Sequence, residues 1–465
     1  MMAVSGIFIS LFLLMYLAYR GYSVIFFAPV FALLAAALSG LSIMPTYTEI
    51  FLPSLASYVK TYFPFFLLGA IFGKSMEESG AAQSIAQAIV RKLGTRQAML
   101  AVVLSCAILT YGGVSLFVVA FAVYPFAASL FKEADIPKRL LPATIALGAF
   151  TFTMDALPGT PQIQNSIPMK FFNTDLYAAP IFGSLGAITV FASGMVYLEN
   201  RRKKAKLSGE GYGVHVLQES EPVVTTHLPH PGLALVPLIN VLAVTLILQK
   251  FIFPHWDISS WATDAPYRID PKNLIGTMNN WALMIALMTG IVLALTIGYT
   301  RKQILISKPL NLGATGSLLA VMNTASEVGF GNVIKSLPGF QTIAQSLMRI
   351  QGGGSPLLSE AVTVNALAGV TGSASGGMSI ALDTFGKEYS AWAARAGVSP
   401  ELLHRVASMA SGGMDTLPHN GAVITLFAIS GMTHRQSYKD IFAITLIKSG
   451  TVFLLIGLSA VFHFV

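Results

Sequence analysis

Two tetrapeptides carry the chemistry of this chain. Asp155-Ala-Leu-Pro158 and Asp415-Thr-Leu-Pro418 each set a carboxylate three residues ahead of a proline, in stretches 151–165 and 408–427 that are otherwise mostly apolar or small. Proline removes a backbone donor and interrupts a helix, so each motif frees backbone groups beside an acid. A helix that restarts after such a break offers N–H groups and a positive dipole end to an anion. After the first break come Gly159, Thr160, Gln162 and Asn165, and after the second His419 and Asn420. With Asp155, Pro158, Asp415 and Pro418 they are candidate substrate-binding residues: small residues for close backbone approach, neutral polar groups for hydroxyls or carboxylates. A plainer role is also open, with both aspartates capping helix restarts, and a cap at a broken helix still shapes a site.

Two further segments have matching character. Tyr111-Gly112-Gly113-Val-Ser115 and Gly372-Ser373-Ala-Ser375-Gly376-Gly377-Met-Ser379 place glycines beside hydroxyls between apolar legs. Main-chain N–H groups in such a turn can cradle an anion; equally, Gly, Ser and Ala permit close helix packing in a membrane. Two more ionisable groups lie in apolar surroundings. Glu327, in Asn323-Thr-Ala-Ser-Glu-Val-Gly-Phe-Gly331, is either a coupling group or half of a structural ion pair, and Lys448, about two turns into the last helix, is expected to snorkel to the inner surface. Since a charge at mid-membrane costs roughly 2.5 to 3.5 kcal/mol in insertion assays, such groups mark transport pathways. Asp155, Asp415 and Glu327 are therefore the proton-coupling candidates.

The elements that must position these residues are membrane helices. Of 465 residues 54% are hydrophobic and only 11% charged, against roughly 25% charged in soluble domains. Apolar stretches of crossing length recur along the chain. The formal charge of +8 sits in short connectors such as Arg201-Arg-Lys-Lys204, which fits inner loops of a membrane protein and not nucleic-acid binding. The single cysteine, Cys106, lies in an apolar run and reads as a core residue. The first apolar run, Ile7 to Leu17, has no basic residue before it, so a retained helix is expected, not a cleaved signal.

Self-similarity organises the rest. Gln83-Ser-Ile-Ala-Gln-Ala-Ile-Val-Arg-Lys-Leu-Gly94 returns, about 260 residues on, as Gln341-Thr-Ile-Ala-Gln-Ser-Leu-Met-Arg-Ile-Gln-Gly352. Ala134-Asp-Ile-Pro-Lys-Arg-Leu140 resembles Ala396-Gly-Val-Ser-Pro-Glu-Leu402, Gly112-Gly-Val-Ser115 resembles Gly376-Gly-Met-Ser379, and the Asp-x-Leu-Pro pair keeps the same order. This predicts an all-α polytopic fold of two repeats, 1–200 and 233–465, joined by a cytoplasmic linker at 201–232.

In the first repeat the periodicity predicts helices over 4–19, 24–41, 55–74 and 176–198, a hairpin over 99–131, and a broken helix from Leu140. The second repeats this with helices over 233–253, 281–299, 312–333 and 441–465, a hairpin over 356–385 and a broken helix over 402–428. Five crossings and a re-entrant hairpin per repeat make the second repeat inverted. With the N-terminus outside, basic residues from Arg20 and Lys74 through Arg201–Lys206, Arg301, Lys302 and Lys308 to Arg435 and Lys439 fall inside. His215, His227 and His230 of the linker show no metal-ligand spacing and read as solvated loop residues.

The chain resembles the gluconate permease (GntP-type) family of bacterial carboxylate–proton symporters, within the ion-transporter superfamily. The resemblance spans nearly the whole length and is most specific at Gly73-Lys-Ser-Met-Glu-Glu-Ser-Gly-Ala-Ala-Gln83, Ala134-Asp-Ile-Pro137 and Gly397-Val-Ser-Pro-Glu-Leu402. It implies a homodimer in the bacterial inner membrane. The first helices of each repeat would form a scaffold, and an elevator-type transport domain would hold both hairpins and both broken helices. It further implies a small organic anion as substrate, a proton as co-substrate and no cofactor. At the first break the sugar-acid permeases of the family carry His and paired prolines around the leucine, where this chain reads Met154-Asp-Ala-Leu-Pro-Gly-Thr-Pro161. That shifts the expected substrate from gluconate toward a smaller, hydroxybutyrate-like monocarboxylate. Sodium coupling is the alternative, and an anion channel a more distant one. The chain has no zinc-ligand His pair, nucleophile elbow or phosphate loop, so neither an enzyme nor a nucleotide-driven pump is expected.

Overall fold

A computed structural model describes residues 2–20, 22–114, 116–214, 228–257, 266, 274–300, 306–340, 342, 354–418, 420–462 and 465. The regular elements among them are helical. The first half runs α1 (Met2–Tyr19), α2 (Val24–Leu38), α3 (Leu52–Glu78), α4 (Ala81–Leu93), α5 (Ala98–Tyr111), α6 (Leu116–Glu133), α7 (Leu141–Ala149), α8 (Ile163–Phe172) and α9 (Pro180–Leu207). The second runs α10 (Pro231–Ile247), α11 (Leu274–Thr300), α12 (Ser307–Ser336), α13 (Leu357–Thr371), α14 (Ala374–Ala396), α15 (Pro400–Ser411), α16 (Gly421–Ser430) and α17 (His434–Phe462).

Among the described residues, five helical stretches are long and apolar enough to cross a membrane: Ile43–Glu78, Pro180–Leu207, Pro231–His255, Asn280–Thr300 and His434–Phe462. α4 and the helix after it meet at 105° across Gly94, so this pair is a sharp bend and not a straight span. The other expected crossings are shorter, broken or more polar; α2, for instance, has 15 residues.

Packing is reciprocal between the halves. α1 packs on α2 as α10 does on α11; α2 packs on α12 as α11 does on α3; and α3 and α12 pack on each other. Likewise α5, α6 and α7 form a mutually packed group matched by α13, α14 and α15. α8 lies against α14 as α16 lies against α6. The expected copy of the Gln83 segment, 341–352, falls almost wholly outside the described residues.

Both expected hairpins are present. α13 ends on Gly372 in the left-handed region (φ 68°), open to glycine without strain, and α14 starts on Ser373, whose hydroxyl accepts from the Gly376 N–H. Both broken helices are present too, but the first break is longer than Asp155–Pro158. α7 stops at Ala149, one helical turn covers Phe152–Asp155, and the helix resumes only at Ile163. The early stop is stabilised by two threonines: Thr151 Oγ1 donates to the Leu147 carbonyl (2.5 Å) and Thr153 Oγ1 to that of Gly148 (2.7 Å). Such bonds relieve carbonyls that the ended helix leaves free. The second break runs from Gly412 to Asn420, where the Asn420 side chain caps α16 by accepting from the Val423 N–H (2.9 Å). α9 outruns its expected end at 198 and carries Arg201 to Lys206 on regular helix, so the linker's basic start is helical.

Candidate functional site

The two breaks meet inside the protein, and Lys448 of α17 joins them. Its ammonium donates to Asp415 Oδ1 of the second break (2.9 Å) and to the Phe150 carbonyl at the start of the first (2.9 Å). Lys448 is 3% exposed, Asp155 4% and Asp415 6%. Lys448 therefore does not reach a membrane surface as expected; its charge is held by an acid and by a carbonyl that the break exposes. Asp155 packs from the first break against the second, where a Cβ on Gly412 would overlap its carboxylate. Asp155 Oδ2 has no hydrogen-bond partner among the described residues. At the same break, Asn365 of α13 accepts from Ser449 Oγ (3.2 Å), and its Nδ2 has no hydrogen-bond partner among the described residues.

A second buried cation, Arg405 of α15, fastens the first break from the other half. Its Nε and Nη2 donate to the Ala178 carbonyl (3.1 and 2.8 Å), Nη2 also to Leu176 (3.1 Å), and Nη1 to Asn165 Oδ1 (2.9 Å) and, at 3.5 Å, to the Asp155 carbonyl. A guanidinium has five N–H donors, and here all five are committed to protein acceptors. Asn165 is likewise saturated. Its Nδ2 donates to Thr160 and Leu176 carbonyls (both 2.9 Å), which fixes the amide orientation, and its Oδ1 also accepts from His404 Nε2 (3.0 Å). His404 Nδ1 then accepts from Thr174 Oγ1 (2.6 Å). Asn165, expected at the substrate, instead fixes the shape of the break, as does Ser408, which donates to the Asp155 carbonyl (2.7 Å).

Each hairpin tip is tied to the break of its own half. Gln162 Nε2 donates to the Thr110 and Val114 carbonyls (2.7 and 3.2 Å), and Tyr111 donates to the Pro158 carbonyl (2.8 Å). In the second half Asn420 Nδ2 donates to the Gly372 carbonyl (2.6 Å), while the Pro418 carbonyl faces His434 Nε2 (2.8 Å). Gly112 and Gly113 meet Leu238, Pro161, Leu287 and Phe72, so the first tip is walled by apolar side chains. At the second tip a Cβ on Gly377 would run into the Ala368 backbone, which makes that glycine a requirement of leg packing. Gly376 faces Glu327, and Ser375 and Ser379 are buried. Ser115 and His419 lie outside the described residues, as do His215 and His227. His230 is exposed and caps α10 through Nδ1.

The described candidates Asp155, Gln162, Asn165, Asp415 and Asn420 are thus linked by hydrogen bonds or packing around the breaks, with Glu327 adjoining the second tip. The sequence reading passed over Arg405, His404 and Asn365. A buried arginine in Pro400-Glu-Leu-Leu-His-Arg-Val-Ala looks like the polar face of an amphipathic helix, so composition alone hides it. Lys448 did leave a signal. Ala443-Ile-Thr-Leu-Ile-Lys-Ser-Gly450 matches Ala187-Ile-Thr-Val-Phe-Ala-Ser-Gly194, so the lysine stands where the other copy has Ala192.

Comparisons with known proteins agree with this architecture. The sequence profile described as GntP family permease matches residues 1–456. Over 465 residues the chain is 52% identical to a Bacillus subtilis (strain 168) protein named uncharacterized transporter YxjC, with 97% of this chain and 98% of that protein covered. It is 27% identical over 213 residues to the high-affinity gluconate transporter of Escherichia coli (strain K12), covering 43% of this chain and 44% of that one. The fold is similar to that of the Alcanivorax borkumensis YdaH transporter, with a TM-score of 0.59, 14% identity and 88% of each chain covered.

Proposed function

The chain belongs to the GntP family of permeases, multi-pass membrane transporters and not enzymes, and from that premise we propose that it imports a small organic monocarboxylate by proton symport. The reading rests above all on Lys448, which holds the aspartate of one break and a freed carbonyl of the other in a single buried contact. With both aspartates ionised, Lys448 and Arg405 balance them and the buried site is neutral. A monocarboxylate entering alone would leave one uncompensated charge in a low dielectric, which is costly. A proton entering with it restores neutrality, and this favours symport.

Recognition of the anion falls to Lys448 and to main-chain N–H groups at the breaks and hairpin tips, because Arg405 and Asn165 are already saturated. Asp155, with an unbonded carboxylate oxygen against the opposite break, and Glu327, with one beside the second tip, are the groups open to the proton. The gluconate carried by one relative supports a hydroxylated monocarboxylate, either a sugar acid or a smaller hydroxybutyrate-like acid.

The reciprocal packing of the halves supports two inverted repeats, 1–200 and 233–465, about the linker. Pairs of charged groups support the sidedness. Arg139 and Arg201 gather on Asp440, and Lys308 pairs with Glu78, all positions that the N-terminus-outside arrangement puts inside. On this reading the long helices α3 and α12, with α1, α2, α10 and α11, form the scaffold of a homodimer in the bacterial inner membrane. The hairpins and breaks, latched together, move as an elevator.

The test is uptake into proteoliposomes of radiolabelled gluconate, 3-hydroxybutyrate, lactate and citrate, with proton and sodium gradients imposed separately. Accumulation of one monocarboxylate under an inward proton gradient alone is expected. Accumulation that needs sodium would replace the coupling ion, and flux without accumulation would make the protein a channel.

A further inference from the structure

The second hairpin carries polar groups that the break site does not use. On α14, Ser375, Ser379 and Asp383 recur every four residues and so share one face. Opposite them on α3, Tyr58 and Tyr62 do the same, with ring centroids 4.7 Å apart. Tyr58 lies against Ser375 and Tyr62 against Ser379. At the tip end of this seam stands Glu327 of α12, beside Ser373, with its Oε2 2.9 Å from where a Cβ on Gly376 would be.

Burial makes the seam unusual. Tyr58 is 4% exposed and Glu327 8%, yet Tyr58 Oη, Glu327 Oε2 and Ser379 Oγ make no hydrogen bond to any described residue. Three unbonded polar groups on facing helices are not explained by packing, since orphaned polar atoms are rare in folded proteins. At its far end the seam opens to the surface at exposed Asp383, whose carbonyl accepts from Lys335 (3.0 Å), with Lys170 also near. Among the described residues the first hairpin shows no such seam; its tip meets Phe72, Leu238 and Leu287. Between halves whose helices pack reciprocally, the polar seam is a departure from symmetry.

Resting on the symport reading above, we infer that this seam is the route by which a proton enters the transporter, and that Glu327 holds it while the transport domain moves. The proton comes from solvent at the Asp383 mouth. With water from the mouth bridging the hydroxyls that make no direct bond, each accepts one proton and passes on another, so Tyr62, Ser379, Tyr58 and Ser375 stay neutral, and the only net change is a new O–H bond on Glu327. Hydroxyls that can both donate and accept suit this, and chains of polar side chains through apolar protein serve as proton relays. The charged surroundings of Glu327 are sparse. α2, packed on the other side of α12, has no titratable residue, Glu49 of the turn before α3 is exposed, and Asp383 and Lys335 stand at the mouth. The N-terminus-outside arrangement puts that mouth on the outer face, where an importing symporter takes up its proton.

The test uses full-length protein in vesicles, with gluconate and 3-hydroxybutyrate as probes, and compares proton-driven accumulation with counterflow, which needs no net proton movement. Glu327→Gln is expected to reduce accumulation to that of vesicles without a gradient while counterflow persists. Tyr58→Phe, which changes one hydroxyl and keeps the ring, is expected to slow proton-driven uptake several-fold, and it decides the matter should Glu327→Gln not fold. Undiminished accumulation in Glu327→Gln, or wild-type rates in Tyr58→Phe, would overturn the inference. So would loss of counterflow in both, which would make the seam part of the substrate pocket, or accumulation driven by sodium and lost with Glu327. If wild-type vesicles accumulate neither probe under a proton gradient, the symport reading falls and this inference with it; wild-type accumulation that survives both substitutions overturns this inference alone.

Discussion

Lys448 is the residue on which the two halves most visibly depend. Its replacement by methionine removes the only described ion-pair partner of a buried Asp415, a change that costs about 3–5 kcal/mol when a buried pair is broken from one side. Lys448→Met is therefore expected to lower the melting temperature in detergent and abolish uptake. Adding Asp415→Leu should restore much of the stability and none of the transport, which separates holding the fold from serving the substrate. Gly412 gives a sharper steric test. Alanine there would collide with the Asp155 carboxylate, at a cost of about 1–3 kcal/mol and loss of uptake. Alanine at Gly421, where nothing lies within 4 Å, should stay within about 0.5 kcal/mol of the parent. At this scale the sequence disclosed Asp155 and Asp415, because an acid beside a proline in an apolar run contradicts its surroundings. It did not disclose Arg405, whose five hydrogen bonds go mainly to main-chain carbonyls at residues 155, 176 and 178, about 230 to 250 positions away, and no local pattern records such partners.

Among elements, the best-anchored contact lies at the face where α7, α9 and α17 come together. Asp440, 1% exposed, accepts from Arg201 Nε (2.6 Å), Tyr197 (2.8 Å) and Arg139 Nη1 (3.1 Å), while Arg139 also binds Glu210 beyond α9 (2.6 and 2.8 Å). Asp440→Ala leaves two arginines without their shared acceptor and is expected to loosen all three helices, read as a lowered melting temperature and faster proteolysis after Arg201. Glu210 sets a pH dependence. The hydrogen bond from Arg139 holds its carboxyl below the usual range. A lowered folded value means that its contribution is whole above the unfolded pKa, about 4.3, and is lost as pH falls through the lowered one. Thermal scans should therefore show Glu210→Gln melting below the parent near neutrality, with a shallower acid decline, so that the two converge as pH falls through the lowered value. The helices themselves were readable from apolar run length. The ends of the breaks were not, because Thr151 and Thr153 stop α7 by bonding its carbonyls, and a threonine that does so looks like any other in the sequence.

For the whole molecule, the elevator reading makes a claim about which surfaces slide. Latches tie each tip to its own break, and Lys448 and Arg405 tie the breaks to one another, so on that reading these parts move together. The seam along which they would then slide lies between α14 and the pair α3 and α12. Gly331 of α12 and Ile380 of α14 touch across it, with a Cβ on Gly331 placed 2.7 Å from Ile380 Cγ1 and 3.3 Å from Cγ2. Cysteines at both positions, in a chain whose one native cysteine Cys106 is replaced by alanine, sit close enough for a disulfide once the isoleucine is gone. Oxidation is expected to stop accumulation and counterflow together, and reduction to restore both. A second pair, Asn240→Cys with Thr289→Cys, joins α10 and α11 where those side chains share a 2.8 Å hydrogen bond, both on the scaffold side. Oxidising that pair should leave transport running. Transport that continues through an oxidised 331–380 bridge would mean that α14 and α12 never part, and alternating access would then have to come from opening of the hairpins against fixed breaks.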